Sequence, residues 1–283
     1  MPGIRVVTDS ACDLPQATAA EFGITVVPLT IRFGETELVD DYDLTPDEFW
    51  RRCNSSPTLP ETAAPSPGAF QQTFRDLAAE GAEGIVCINL SSDLSATIQA
   101  AEMAAKAVAS DIPVRIVDSQ SVSLGQGQMA IAAARMAAQG KGLDDVAGAA
   151  EDLVARTRLF ATLDTLDNLK KGGRIGGAQA FIGTLLSFKP VIKVVDGKVE
   201  QEAKPRTRSR SLRYLVDKVR EHGAIEHLAM VHSQAADAEQ FLDMLGEVFP
   251  RDEILVGNVG AVIGTHAGQG AVGVIFHVGP AGH

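Results

Sequence analysis

The sequence predicts an α/β protein of two domains. An N-terminal three-layer α/β/α domain with a mostly parallel sheet is expected over residues 1–157, and a smaller C-terminal α+β domain with a mixed sheet over residues 158–283. Three observations carry this reading. Short apolar runs alternate with helix-period segments through the first half, the pattern of parallel strands covered on both faces. In the second half Asp196-Gly197 sits between two strand-like runs, a strong hairpin signal that breaks the alternation. The chain has 283 residues, 45% of them hydrophobic, which is enough for two domains of ordinary size.

Taken in order, residues 4–7 read as a short buried strand. Asp13 and Pro15 mark a helix start, because proline is tolerated in the first turn. Residues 25–33 and 37–39 read as strands around Gly34-Glu35, and 45–52 as a short helix capped by Thr45. The Pro-, Ser- and Thr-rich stretch 54–67 reads as a loop. Helix 68–80, strand 84–90, helix 95–109, strand 114–117 and helices 126–139 and 143–157 complete the alternation. The boundary falls near Thr157, where the Ala-rich helix ends.

The second half begins with strand 159–162 and helix 163–170. The glycine-rich break Lys171-Gly172-Gly173-Arg174-Ile175-Gly176-Gly177 follows, then an apolar segment, 181–187, expected to be helical. Residues 189–195 and 198–203 flank the hairpin turn. An amphipathic helix over 208–222, a strand over 227–231, a helix over 235–249 and strands over 253–259 and 273–277 close the chain.

A formal net charge of −11 and a pI near 5.0 argue against a broad nucleic-acid surface and against a polybasic membrane anchor. The N-terminal residues Met1 to Arg5 lack the apolar stretch of a signal peptide, and no apolar run is long enough to span a bilayer. A cytoplasmic protein is expected. The three cysteines, Cys12, Cys53 and Cys87, are odd in number and widely spaced, as in reduced proteins. The six histidines are equally scattered, so neither a metal nor another cofactor is expected.

Several motifs are candidates for chemistry. The strand 84–90 feeds into Ser91-Ser92-Asp93-Leu94-Ser95-Ala96-Thr97, a hydroxyl-dense turn that opens a helix. A helix N-terminus seats anions well, although plain capping accounts for most such turns. Val7-Thr8-Asp9-Ser10 and Val117-Asp118-Ser119 each place an acid and a hydroxyl at a strand's carboxyl end, where α/β sheets bind ligands; loop hydrogen bonding explains them slightly better. Gly125-Gln126-Gly127-Gln128-Met129-Ala130 and Gly268-Gln269-Gly270-Ala271-Val272-Gly273 match the dinucleotide fingerprint as strings but fail in context. Gly264-Thr265-His266-Ala267-Gly268 sets one imidazole among glycines, read as a loop. Arg174, among glycines, offers a planar fork of donors to a carboxylate or phosphate, or is a surface cation.

These strings together resemble the DegV family along nearly the whole chain. The resemblance rests on Val7-Thr8-Asp9-Ser10 with Asp13-Leu14, and on Pro60-Glu61-Thr62-Ala63-Ala64-Pro65-Ser66-Pro67-Gly68. It continues through Ser91 to Thr97, Val117-Asp118-Ser119, Thr162-Leu163-Asp164 with Leu169-Lys170-Lys171-Gly172-Gly173-Arg174-Ile175, and Gly264-Thr265-His266.

The resemblance implies a non-enzymatic protein that buries a long-chain fatty acid, with the carboxylate near the domain interface. It also implies a partner: a separate fatty acid kinase catalytic subunit that converts the presented carboxylate to acyl phosphate. No nucleic-acid partner and no membrane-spanning segment is implied, and contact with a membrane is at most transient. Carried over by motif, Thr62 and Ser95 would bind the carboxylate, with His266 beside it and Arg174 in the same region or at the partner surface. Segments 181–188 and 259–263 are expected to line the tail's tunnel. Burying a sixteen-carbon tail offers roughly 10 kcal/mol gross, part of which is offset by lost freedom.

This chain departs from the family pattern at Ala63 and Ala64, where Ser-Gln is usual, at Ala96, where Gly is usual, and at Ala267 and Gln269, where Thr and Pro are usual. The runner-up function is a small-substrate phosphotransferase related to the dihydroxyacetone kinase substrate domain, with His266 holding or attacking the substrate. Arg206, Arg208, Arg210 and Arg213 form a basic cluster that reads as a solvated helix face, or alternatively as a docking surface.

Overall fold

The computed structural model of this protein describes residues 3–40, 44–181 and 188–279. The first half runs β1 (Gly3–Asp9), α1 (Gln16–Glu21), β2 (Ile24–Val27), β3 (Thr30–Phe33), β4 (Thr36–Val39), α2 (Pro46–Ser55), β5 (Glu61–Ala63), α3 (Pro67–Ala79), β6 (Ala82–Asn89), α4 (Thr97–Ala107), β7 (Val114–Asp118), α5 (Leu124–Ala138) and α6 (Leu143–Arg156). The second half runs β8 (Thr157–Thr162), α7 (Asp167–Lys171), β9 (Val191–Val195), β10 (Lys198–Ala203), α8 (Arg208–Glu221), β11 (Ile225–His232), α9 (Ala238–Gly246), β12 (Leu255–Asn258), α10 (Ala261–Ala267) and β13 (Val272–Val278).

Strands β2, β1, β6 and β7 form an all-parallel sheet in that order. Its two faces follow from strand alternation. Ile85 and Cys87 point to the layer of α3 and α4, where Phe70, Phe74 and Ala101 pack. Val86 and Ile88 point the other way, to α5 and α6. Strands β10, β9, β8, β13, β11 and β12 form a mixed sheet in which β11–β12 is a parallel pair. One face of that sheet carries α8 and α9 through Phe160, Met230 and Val274. The other turns toward α5, and Leu159, Val231 and Ile275 share a core with it.

Helix α5 therefore lies between the two sheets. Gln126 on it is fully buried and donates to Thr8 Oγ1 at 2.8 Å, while Gly127 lies so close to Leu14 that a Cβ would sit 2.9 Å from its side chain. The dinucleotide-like string is thus a close-packed helix start. Asp9, equally buried, accepts from Ala11 N, Asn89 Nδ2 and Leu90 N at 3.0–3.1 Å. Asp118 accepts from Gln120 N at 2.9 Å. Both acids hold strand ends to loops, as the simpler reading of them expects.

Three expectations change. The strand over 25–33 breaks after Val27, because Pro28 has no N–H to continue a ladder. Beyond it, β3 pairs with β4 and β5 in a separate antiparallel sheet, so residues 61–63 of the expected loop are a strand. The supposed loop around His266 is helix α10. Of the expected helix over 181–187, Phe181 is the last residue of a 3₁₀ turn, Gly176–Phe181, and residues 182–187 lie outside the described residues. The hairpin forms as expected: β9 and β10 are antiparallel, and Asp196 and Gly197 both adopt positive φ, 49° and 77°, as a two-residue turn requires.

His277 on β13 is buried, and its Nδ1 lies 3.0 Å from Thr157 Oγ1. That hydroxyl donates to Leu153 O at 2.7 Å, so it accepts from the imidazole and leaves Nε2 without a proton. Burial, with His227 and Arg156 adding, holds the His277 pKa down at about 3. An unfolded histidine titrates near ~6.5. The folded value is the lower one, so this stabilisation is complete above the unfolded pKa and is lost as pH falls toward the folded one. From pH ~7.5 to ~5 the wild type should lose about 2 kcal/mol more than His277→Asn. Urea midpoints at the two pH values measure it; equal losses would contradict the assignment.

Candidate functional site

Between the halves lies a cavity of about 320 Å³, within the range of roughly 300–1,000 Å³ typical of small-molecule sites. The mixed sheet supplies one wall, including Leu159, Val194 and Val231. The opposing wall comes from strand ends and loops of the first half, including Leu29, Leu90 and Val122, and α10 closes one side with Val262 and Ile263. Of the two segments expected to line a tunnel, Val259, Val262 and Ile263 do so. Phe181 and Phe188 pack on each other at 5.7 Å with Lys204 over Phe181, and are not among the described lining residues.

Thr62, Ser95, Arg174 and His266 all line this cavity, at one corner of it. Thr62 stands on β5, opposite Ile31 of β3. Its Oγ1 lies 3.1 Å from His266 Nε2, while His266 Nδ1 is buried with no hydrogen-bond partner among the described residues. Burial first, and then the positive charge of Arg174, push the His266 pKa down to about 4. The ring is therefore neutral near pH ~7. Arg174 donates from Nε to Leu94 O at 3.0 Å and from Nη1 to Gly172 O at 2.7 Å. Ser95, the next residue after Leu94, is 2.8 Å from Thr97 Oγ1 and accepts from Thr97 N at 3.2 Å, just ahead of α4. Thr62 and His266 are thus within hydrogen-bond distance, Arg174 acts on the imidazole through its charge, and Arg174 is tied to the residue before Ser95.

The remaining hydroxyls of the Ser-rich turn are structural. Ser91 donates to Gly197 O at 2.7 Å, tying the first half to the β9–β10 hairpin. Ser123 lines the cavity, but its hydroxyl donates to Asp13. Arg208 of the basic cluster makes a two-point ion pair with Asp237 at 2.8 Å on each arm, so its guanidinium is engaged within the chain.

Helix α10 has seven residues, and its position comes from its neighbours. Gly260, just before it, donates its N–H to Asp13 Oδ1 at 2.9 Å, so a carboxylate faces the positive end of the helix. Gly264 lies against the Phe49–Trp50 pair of α2, where a Cβ would be 3.1 Å from either ring. Asn168 on α7 donates to Thr265 O at 3.0 Å. Gly172 faces the imidazole itself: a Cβ there would lie 2.2 Å from His266 Nδ1. Asp13 and Gly172 are site-building residues that motif matching does not assign. Asp13 stands in the Asp13-Leu14 string, where it marks an expected helix start, and Gly172 in the glycine-rich break.

Outside the corner is a second, more open cleft of about 540 Å³, lined by residues 57–62, Lys171, Gly172, Arg174, Thr265 and His266. Thr62, Arg174 and His266 belong to both spaces. They stand where a buried apolar cavity meets the surface. Such a corner presents hydroxyl and guanidinium donors, and an imidazole, to a polar head while the cavity takes an apolar body.

A family model described as "Uncharacterised protein, DegV family" matches residues 3–278. A DegV domain-containing protein of Streptomyces coelicolor, SCO2569, is 37% identical over 276 residues, covering 96% of this chain and 97% of that one. A solved structure from Thermus thermophilus, described as fatty acid binding of a DegV family protein, superposes with a TM-score of 0.90 at 33% identity, covering 98% of this chain and 99% of that one. The Bacillus subtilis DegV structure, described as a fatty acid binding protein, superposes with a TM-score of 0.85 at 29% identity, with the same coverage. The match to the model across most of the chain, and this degree of identity, make the protein a member of the DegV family.

Proposed function

We propose that this protein binds a long-chain fatty acid, its tail in the interface cavity and its carboxylate held by Thr62, Ser95, His266 and Arg174. One observation carries the reading: a largely apolar cavity is lined by Thr62, Arg174 and His266 where it meets the outer cleft, with Ser95 also in its lining. The apolar walls favour a lipid over the small polar substrate of a phosphotransferase, and the fatty-acid-binding relatives support the same ligand class.

In this reading the chain is not itself an enzyme. In the same reading the two domains divide after Thr157, with the ligand between them. A separate kinase subunit docks over the outer cleft, and phosphorylates the carboxylate presented there. The protein works in the cytoplasm and exchanges acids through transient membrane contact. Among the described residues no helix is long and apolar enough to cross a membrane.

Three outcomes follow. Mass spectrometry after denaturing organic extraction should release a stoichiometric fatty acid, and Thr62→Val or Ser95→Ala should each weaken its binding about tenfold with circular dichroism unchanged. A protein that neither carries nor takes up fatty acid would overturn the reading. Gly172→Ala should displace the His266 ring from its buried seat, so its NMR titration moves from about 4 toward the ordinary histidine value. An unmoved titration would show that Gly172 does not set the ring's place. With a kinase subunit and ATP, acyl phosphate should form from bound acid. Reversing Arg210 and Arg213, which lie beside the Asp237-bound Arg208 in sequence, should slow it; an unchanged rate removes that helix from the docking surface.

A further inference from the structure

The wall that the mixed sheet gives the cavity has a defined shape. Ala161 on β8 is directly opposite Ile192 on β9 and Gly273 on β13, and Gly273 is directly opposite Val231 on β11. Residues directly opposite in antiparallel strands share a face. Ile192, Ala161, Gly273 and Val231 are therefore one row across four neighbouring strands, and all four line the cavity. The two central members have the smallest side chains. Ala161 retains accessible surface although β8 is an interior strand. A Cβ at Gly273 would lie 3.1 Å from Val231 Cγ2 and 3.4 Å from Ala161 Cβ, so Val231 leans over the bare glycine.

The surroundings of this recess are fixed. Two residues along each strand, the next row on the same face is Val194, Leu159, Ile275 and Ala229. Val194 and Leu159 continue the cavity wall, while Leu159, Ile275 and Ala229 pack into the core shared with α5. The opposite face of the same strands is filled by Phe160, Val274 and Met230 against α8 and α9. A close-packed backing of this kind does not retreat to admit extra volume. All the side chains of the row are apolar, so the row meets a tail and not a head group.

We propose that the Ile192–Ala161–Gly273–Val231 row is the gauge that sets how long an acyl chain the cavity accepts. The proposal rests on the fatty-acid reading above. Filling the recess shortens the accepted tail by about as many carbons as are added, and deepening it lengthens the tail.

The test is competitive loading. Protein stripped of lipid is incubated with an equimolar series of saturated fatty acids graded in length, and the bound acids are extracted and quantified by mass spectrometry. Ala161→Leu should shift the preferred acid shorter by about two to three carbons, and Val231→Ala should shift it longer by about one to two. Thr62→Val, at the head-group corner, should lower total uptake and leave the length distribution unchanged. Should Ala161→Leu not fold, the direction of the Val231→Ala shift decides the matter. Wild type and both gauge variants binding the same distribution would overturn the gauge while leaving fatty-acid binding intact. A wild type that takes up none of the series would overturn the underlying reading instead.

Discussion

One constraint organises the molecule: helix α5 packs against two sheets at once. Its buried face meets β1 of the parallel sheet through Gln126 and the segment that follows β1, at Leu14, through Gly127, and its other side shares a core with Leu159, Val231 and Ile275 of the mixed sheet. A helix about 10 Å across holds two sheets apart along its length. Where it begins, at Leu124, that spacer stops. Val122 and Ser123, immediately before it, already line the cavity. The cavity is the continuation of the inter-sheet gap beyond the helix end, walled by apolar side chains that the sheets present on that face in any case.

The polar corner depends on the same arrangement at one remove. Asp13 accepts from Ser123, just ahead of α5, and from Gly260, just ahead of α10. One carboxylate therefore couples the start of the spacer helix to the start of the helix that carries His266. Thr62 reaches that imidazole from a third direction, on a short strand that exists through its pairing with β3. The groups at the corner come from segments far apart in sequence, and the inter-sheet geometry brings them within hydrogen-bond reach. A neutral His266 suits such a place, since the ring is partly buried and Arg174 already supplies positive charge.

Much of this was legible in the sequence, for identifiable reasons. Parallel strands covered on both faces read as unbroken apolar runs, so β1, β6 and β7 stood out, and Asp196-Gly197 encoded its own turn. What escaped notice is structure made by neighbours. β5 has three residues inside a Pro- and Ser-rich stretch, and no local pattern distinguishes it from loop. α10 has seven residues, one of them glycine, with glycines at both flanks; its helicity comes from Asp13, Phe49 and Trp50, not from propensity. Thr62, Ser95, Arg174 and His266 were reached through motif resemblance, because no periodicity links positions on β5, a helix entry, a glycine-rich turn and α10. The roles of Asp13 and Gly172 required coordinates, since both act by close approach to partners distant in the chain.

The gap beyond α5 has a consequence for the protein's lifetime. About 320 Å³ between the two halves is space that the side chains of the described residues do not occupy. A guest that fills it supplies packing that the polypeptide alone does not. Because such a guest binds the folded form and not the unfolded one, its free energy adds to the stability of the fold. Loaded and unloaded molecules then differ in how often they open, and so in how fast proteases remove them. Cellular abundance of the protein would then follow the supply of whatever fills the cavity.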